Sequence, residues 1–153
     1  MIDNPLTPEN IPLNSCQAKQ ARLILLFAEC TTPQKKYEKI IELGRQLPAY
    51  PPEFKSPEHK VSGCQSEMYL HCSMNEGKIQ FQVFSEALIS AGLAALLLFV
   101  YHDEPPETIF SCPPLFLETL GIHASLSPGR SNGLSSLFLR MKQEALKCCH
   151  LKI

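Results

Sequence analysis

This sequence lacks an excess of charge of either sign. Its 153 residues carry 14 Lys and Arg against 15 Asp and Glu, which leaves a net charge of −1. A chain this close to neutrality has no long-range field to attract nucleic acid or an acidic membrane surface, and we expect neither as a partner. Residues 1–5 also lack the basic and apolar stretches of a secretory signal.

Long hydrophobic runs are missing as well. The uncharged, apolar stretch at residues 87–101 is 15 residues long, whereas a membrane span needs about 20. Glu86 closes it on one side and residues 102–104 close it on the other. A helix that is apolar all round but too short to span a bilayer is predicted to be a central core helix.

Cysteine is present without any pattern that pairs it. The seven cysteines are an odd number, so we expect free thiols in a reducing compartment and a cytoplasmic protein. Cys148 and Cys149 are adjacent and precede His150, without the spacing by which two sulfurs reach one zinc ion. We interpret them as part of a frayed C-terminal tail and expect no metal. We assign the other cysteines outside the candidate site to packing or loops: Cys16, Cys30, Cys72 and Cys112.

The spacing of apolar residues changes along the chain from helical to strand-like. Helices are predicted near residues 21–30 and from Thr32-Pro33 to about Leu47, followed by a proline-rich loop. Apolar residues then alternate over 68–74 and 79–83 around a glycine turn, which predicts a β-hairpin. Val61 is expected to add a short strand.

Helical patterns return after the hairpin. Ser85 is the predicted N-cap of the central helix, Pro105 and Pro113 each precede a short helix, and the last helix begins near Ser127-Pro128. We therefore predict one α+β domain over residues 1–153, with a small antiparallel sheet of about three strands flanked by helices. Residues 1–18 are predicted to be an irregular N-terminal arm.

Cys64 has the most informative position of the seven cysteines. It follows Gly63 at the junction between the proline-rich loop and the first strand. A thiol on a glycine-marked loop tip is accessible to a partner, which suits the transfer of sulfur between proteins. The alternative is that it packs as a small hydrophobic residue.

Arg130 is the second candidate, within the run at residues 120–134. It falls in the first turn of the last helix, where a cation opposes the helix dipole. One interpretation is that Arg130 and the helix N-terminus stabilise a sulfur anion and lower a thiol pKa. The other is an exposed arginine that fixes the loop through a carbonyl or an acid.

Four ordered blocks of the sequence resemble the SufE family of sulfur acceptors. They are residues 37–48, 63–66, 85–89 with 92–93, and 126–134, and the likeness runs from about Lys19 to Ala145. The family usually has Asp where Glu86 stands and Ser where Gly129 stands. The second difference is expected to loosen the loop that carries Arg130.

The resemblance implies a persulfide carrier rather than a stand-alone enzyme. A cysteine desulfurase of the SufS type, which holds pyridoxal phosphate, would supply sulfur to Cys64 and be stimulated by it. The chain itself would hold no cofactor, and the sulfur would pass to an Fe–S scaffold for iron–sulfur cluster assembly. Arg130 would stabilise the thiolate or orient the incoming persulfide. The desulfurase-binding face would comprise Glu86, Gly63, Gln65 and Ser66.

Three functional classes stay open on the residues alone. A sulfur carrier needs one exposed cysteine, a cluster scaffold needs several convergent cysteines, and a thiol hydrolase needs a histidine base near Cys64. His59 and His71 flank the cysteine in sequence, without a spacing that fixes either beside it. Glu86 could equally be a helix-capping acid, and a homodimer is left open.

Overall fold

The structure, a computed structural model, describes residues 16–151, with side chains as far as Cys149. The described residues form six α-helices and one two-stranded antiparallel sheet, so the predicted α+β class is confirmed. The helices are α1 (Cys16–Leu26), α2 (Pro33–Arg45), α3 (Leu88–Tyr101), α4 (Thr108–Ser111), α5 (Leu115–Thr119) and α6 (Pro128–Leu151), and the strands are β1 (Met68–Asn75) and β2 (Lys78–Ser85). No helix among these residues is long and apolar enough to cross a membrane.

The sheet is the predicted hairpin. β1 and β2 pair from Met68 opposite Ser85 to Asn75 opposite Lys78, and Gly77 has a φ of 79° at the turn. The predicted strand at Val61 is reduced to one bridge between Lys60 and Tyr69, so the sheet has two strands rather than about three. The Val61 amide still donates to the Met68 carbonyl at 2.8 Å, which ties the loop before Cys64 to β1.

The close crossing of α2 and α3 depends on two glycines. A Cβ on Gly44 would lie 2.6 Å from the Gly92 nitrogen, and a Cβ on Gly92 would overlap the Ile40 carbonyl. The absence of both side chains lets the two backbones touch. α3 is consequently buried along most of its length, as predicted for the central helix.

α1 is held by buried polar contacts that link distant parts of the chain. Lys19 pairs with Glu104 at 2.6 Å and donates to the His102 carbonyl at 2.8 Å. Cys16 and Cys112 form a disulfide, so the expectation that all seven thiols are free is wrong for this pair. α1 begins at Cys16, which makes residues 16–18 of the predicted arm helical, while residues 1–15 lie outside the described residues.

Three smaller predictions are corrected. The proline-rich loop contains two short 3-10 helices, Pro52–Phe54 and Pro57–His59. Ala87, not Ser85, occupies the N-cap position of α3, because β2 continues through Ser85. Cys148 and Cys149 lie in the last turns of α6 rather than in a frayed tail, and the side chain of His150 is outside the description.

Candidate functional site

Cys64 lies in a short loop that crosses the surface of α6. Gly63 has a φ of 88°, and a Cβ there would overlap the Ser136 hydroxyl. The positive φ favours glycine, since L side chains rarely adopt it, and a Cβ would also displace the Ser136 hydroxyl. The Gly63-Cys64 pair therefore fixes how closely the thiol approaches that helix.

Two neighbours of Cys64 also hold the loop in place. The Ser66 hydroxyl donates to the Ser90 hydroxyl on α3 at 3.1 Å. The amide group of Gln65 lies where a Cβ of residue 129 would be. Gly129 is inside α6 rather than in a loop, so the expectation that it loosens the loop carrying Arg130 is not met.

The thiol opens onto a cavity of about 180 Å³ between the loop, α3 and α6. Apolar side chains dominate its deeper part, with polar groups contributed by the loop and the start of α6. The lining residues used below are Cys64, Gln65, Ser66, Ser90, Gly129 and Arg130.

The Cys64 sulfur has few polar neighbours. It lies 3.8 Å from the Gly133 carbonyl, to which it can donate, and 4.0 Å from the Met68 sulfur. The residue is half-buried, and burial raises the pKa of the Cys64 thiol above its ordinary value. This arrangement favours the protonated form of the thiol over the thiolate.

Arg130 lines the same cavity as Cys64, although 66 residues separate them in sequence. Its backbone amide donates to the Ser127 hydroxyl at 3.3 Å, as expected where Ser127 precedes the helix. Its exposed guanidinium has no hydrogen bond or ion pair with the described residues. Burial raises the pKa of the Cys64 thiol, and Arg130 is not among the causes of the shift. Stabilisation of the thiolate by Arg130 therefore stays a prediction.

Glu86 is exposed beside the cavity rather than in it. Its neighbour Ala87 lines the cavity, and no side chain caps α3. The pKa of the Tyr69 hydroxyl is raised, chiefly by its hydrogen bond to Glu67 and in part by the charge of Glu86. Two carboxylates therefore lie near one tyrosine at the edge of the loop. Glu86 makes no capping hydrogen bond to α3, although its position just before the helix still suits the helix dipole.

The histidines that flank Cys64 in sequence lie elsewhere. The ring of His71 stacks on Phe54 at 3.6 Å, and His59 meets His71 edge-on at 5.4 Å. Neither lines the cavity, so the described residues supply no histidine base to Cys64. The hydrolase alternative loses its support.

The other cysteines do not converge on Cys64 either. Burial raises the pKa of Cys72 strongly, which agrees with its interpretation as a packing residue. Cys64 is the one cysteine of the described chain that lines the cavity. The described residues also contain no group of three or more His, Cys, Asp and Glu able to hold a metal, which leaves the scaffold alternative without its ligands.

Sequence reasoning missed Ser90, Gly133 and Ser136. They lie 26, 69 and 72 residues beyond Cys64, by subtraction of sequence numbers. Gly133 falls inside the recognised run at residues 126–134, and this was the available signal. Ser90 and Ser136 resemble ordinary helix-surface serines, and only the packing of α3 and α6 around the loop brings them to Ser66 and Gly63.

Comparisons with known proteins agree on one family. The family described as "SufE: Fe-S metabolism associated domain" matches residues 21–145. An uncharacterised SufE-like protein of Synechocystis sp. is 33% identical over 126 residues, covering 82% of this chain and 79% of that protein. SufE-like protein 1, chloroplastic/mitochondrial, of Arabidopsis thaliana is 32% identical over 143 residues, covering 93% of this chain but 38% of the plant protein.

The fold is also found among solved structures. The solution structure of a hypothetical protein from Thermus thermophilus matches with a TM-score of 0.71. The match covers 86% of this chain and 96% of that one at 23% identity, so it supports the fold alone.

Proposed function

The chain belongs to the SufE family, and from this premise we propose that it accepts persulfide sulfur on Cys64 from a cysteine desulfurase of the SufS type. The family gives the protein a role in Fe–S metabolism. In the proposed activity the chain stimulates the desulfurase and passes the sulfur on towards iron–sulfur cluster assembly. The observation that carries the proposal is a single cysteine of the described chain facing a mostly apolar cavity, with Arg130, whose guanidinium has no polar partner among the described residues, at its edge.

The transfer step balances without an added oxidant or reductant. The Cys64 thiol gives up its proton to solvent, and the resulting thiolate attacks the outer sulfur of a persulfide on the partner, so that a new S–S bond forms at Cys64. The S–S bond of the partner breaks, and its electron pair leaves with the partner's cysteine as a thiolate. Cys64 then carries the persulfide, and no cofactor of the chain takes part in the step.

Each neighbouring residue has a proposed task. Arg130, whose guanidinium has no partner in the part of the chain that the structure describes, orients the anionic persulfide as it enters. Glu86 and the loop residues Gly63, Gln65 and Ser66 form the face that meets the desulfurase. The recipient is an Fe–S scaffold. We retain the cytoplasm as the proposed compartment because Cys30, Cys64 and Cys72 are thiols outside any disulfide of the described residues, although the Cys16–Cys112 disulfide is unusual for that compartment.

The test is sulfur uptake measured by intact mass. The chain is incubated with a SufS-type desulfurase and free cysteine, and we expect a gain of one sulfur atom, located on Cys64 by peptide mapping. Cys64→Ser should abolish both the gain and the stimulation. Cys30→Ser is the matched control, because Cys30 is also a free, half-buried thiol but does not line the cavity. Full stimulation by Cys64→Ser would overturn the proposal.

A further inference from the structure

Residues 58–65, which contain Cys64, run along one face of α6. Residues of that face recur at a helical spacing of three or four, and each meets a part of the segment. The contacts, from the start of α6 onward, are Gln65 with Gly129, Cys64 with Gly133, Gly63 with Ser136, and both Lys60 and Glu58 with Arg140. Sequence numbers rise along α6 as they fall along the segment, so the two run antiparallel in a single register.

Arg140 makes the charge-assisted contacts of this register. Its Nη1 donates to the Lys60 carbonyl at 2.9 Å, and its Nη2 donates to the Glu58 carbonyl at 2.6 Å. Its Nε donates to the Glu144 carboxylate at 3.1 Å, one turn further along α6. Because a planar guanidinium with partners at all three nitrogens has one orientation, the two carbonyls are fixed at one position along the helix.

We propose that Arg140 is a positioning residue, which sets where Cys64 lies along α6 and therefore how the thiol faces Arg130. The inference rests on the proposed function, in which Arg130 meets the anionic persulfide at Cys64. A shift of residues 58–60 along the helix would move the thiol relative to that arginine.

The backbone connects Arg140 to Cys64. The Val61 amide donates to the Met68 carbonyl at 2.8 Å, so the two ends of the loop that carries Cys64 are joined directly after the carbonyls that Arg140 holds. Cys64 touches Gly133, seven residues before Arg140 by subtraction, which is about 10 Å along the helix axis. A charge in solvent is largely screened over that distance at physiological salt. Arg140 therefore acts on Cys64 by placement and not by its own charge.

The test needs no partner and uses two disulfide reagents, the anionic dithionitrobenzoate and the neutral dithiodipyridine. Their rates of reaction with Cys64 are measured in the free chain by peptide mapping. The ratio of the anionic to the neutral rate cancels changes in access and in ionisation of the thiol, and reports whether a cation faces it. Arg130→Ala should lower this ratio. Arg140→Ala should also lower it, about threefold, the scale of one exposed charge interaction, although Arg130 is still present. An unchanged ratio in either variant would overturn the inference.

Two controls separate placement from charge. Arg140→Lys keeps the charge, but one ammonium cannot hold both carbonyls in the geometry of the guanidinium, so the ratio should fall as it does in Arg140→Ala. A ratio retained in Arg140→Lys would mean that charge alone matters, against the inference. Lys147→Ala removes another cation that contacts Glu144, and it should leave the ratio unchanged. Thermal unfolding identifies a temperature at which every variant is folded, and the rates are compared there.

A double variant decides whether Arg140 acts through Arg130. Arg140→Ala combined with Arg130→Ala should give the same ratio as Arg130→Ala alone, because no cation is left for the thiol to be placed against. Multiplied effects of the two substitutions would contradict the inference. Sulfur uptake from the desulfurase is measured separately, so failure of the proposed function would show as a lack of uptake with the pattern of ratios intact.

Discussion

At the scale of single residues, Arg130→Ala should slow sulfur transfer while leaving the pH dependence of Cys64 alkylation in the free chain nearly unchanged. Burial sets the direction of that pKa, so the arginine is expected to act on the incoming persulfide. Arg130→Lys should recover part of the transfer rate, because it keeps the charge but not the two-pronged geometry. An upward shift of the alkylation curve in Arg130→Ala would instead show that the arginine stabilises the resting thiolate.

Glu86→Arg should weaken binding of the desulfurase with the fold intact by circular dichroism. The expectation follows from its exposure beside the cavity and from the absence of any side-chain cap on α3. Glu29→Arg, at another exposed acid, makes the same charge change as a control. Equal affinities of the two variants would remove Glu86 from the interface.

His71 should make stability depend on pH. Burial, with a smaller contribution from the neighbouring His59, lowers the pKa of His71 below 6.5, against weaker opposing effects of Glu144 and Glu53. The folded chain therefore prefers the neutral ring, and the unfolded chain takes up the proton first as the pH falls. The contribution of His71 to the free energy of unfolding is expected to be fully present above about pH 6.5 and to decline below it. His71→Phe, which retains a ring to stack on Phe54, should flatten this profile in unfolding experiments between about pH 5 and 7; an unaltered slope would assign it to other groups.

The geometry of the site also depends on two glycines, Gly63 and Gly129, where the absence of a side chain permits a close contact. Sequence reasoning identified Gly63 beside Cys64 from the residue types alone. It could not show that the glycine faces Ser136, because that contact joins residues 73 positions apart, by subtraction. The resemblance likewise selected Arg130 but not the contact between Gln65 and Gly129, which is a matter of side-chain placement.

At the scale of elements, the spacing of apolar residues predicted the helices and strands that local interactions determine. The alternation at residues 68–83 predicted the hairpin, and the uninterrupted apolar run predicted the buried helix α3. The predictions failed where distant contacts set a boundary. α1 extends back to Cys16 because Lys19 reaches Glu104 and Cys16 reaches Cys112, and neither contact leaves a local signal.

Gly92→Ala should test the crossing of α2 and α3. The added Cβ would overlap the Ile40 carbonyl, and backbone cannot move aside as a flexible side chain can. We expect a loss of about 3 kcal/mol in the free energy of unfolding. Gly133→Ala is the comparison, because its Cβ would lie 3.8 Å from the nearest atom; it should be neutral or stabilise by up to about 1 kcal/mol. Equal losses in the two variants would attribute the effect to helical alanine rather than to the crossing.

At the scale of the whole molecule, the disulfide that anchors α1 and the proposed sulfur acceptor involve separate cysteines. Cys64 lines the cavity between its loop, α3 and α6, whereas Cys16 and Cys112 join the start of α1 to the segment after α4. The Gln20 side chain lies beside this disulfide. It donates a hydrogen bond to the Pro113 carbonyl at 2.9 Å and accepts one from the Phe116 amide at 3.0 Å. The odd number of cysteines suggested no pairing, because a pair 96 residues apart has no signature in sequence.

Cys112→Ser should therefore reduce stability without removing sulfur uptake. A cross-link between residues 96 positions apart restricts the unfolded chain over most of its length, and its loss is expected to cost about 4–5 kcal/mol. Urea unfolding measures this cost as the difference in the free energy of unfolding between the unsubstituted chain and Cys112→Ser. The difference should disappear in dithiothreitol, because the unsubstituted chain then also lacks the disulfide. Cys30→Ser, at a cysteine outside the disulfide, should not change the midpoint comparably.

Below the unfolding transition, Cys112→Ser should still gain one sulfur atom on Cys64, because neither disulfide residue lines the cavity. Loss of uptake in a variant that is still folded would show that the anchor of α1 also sets the geometry of the thiol loop.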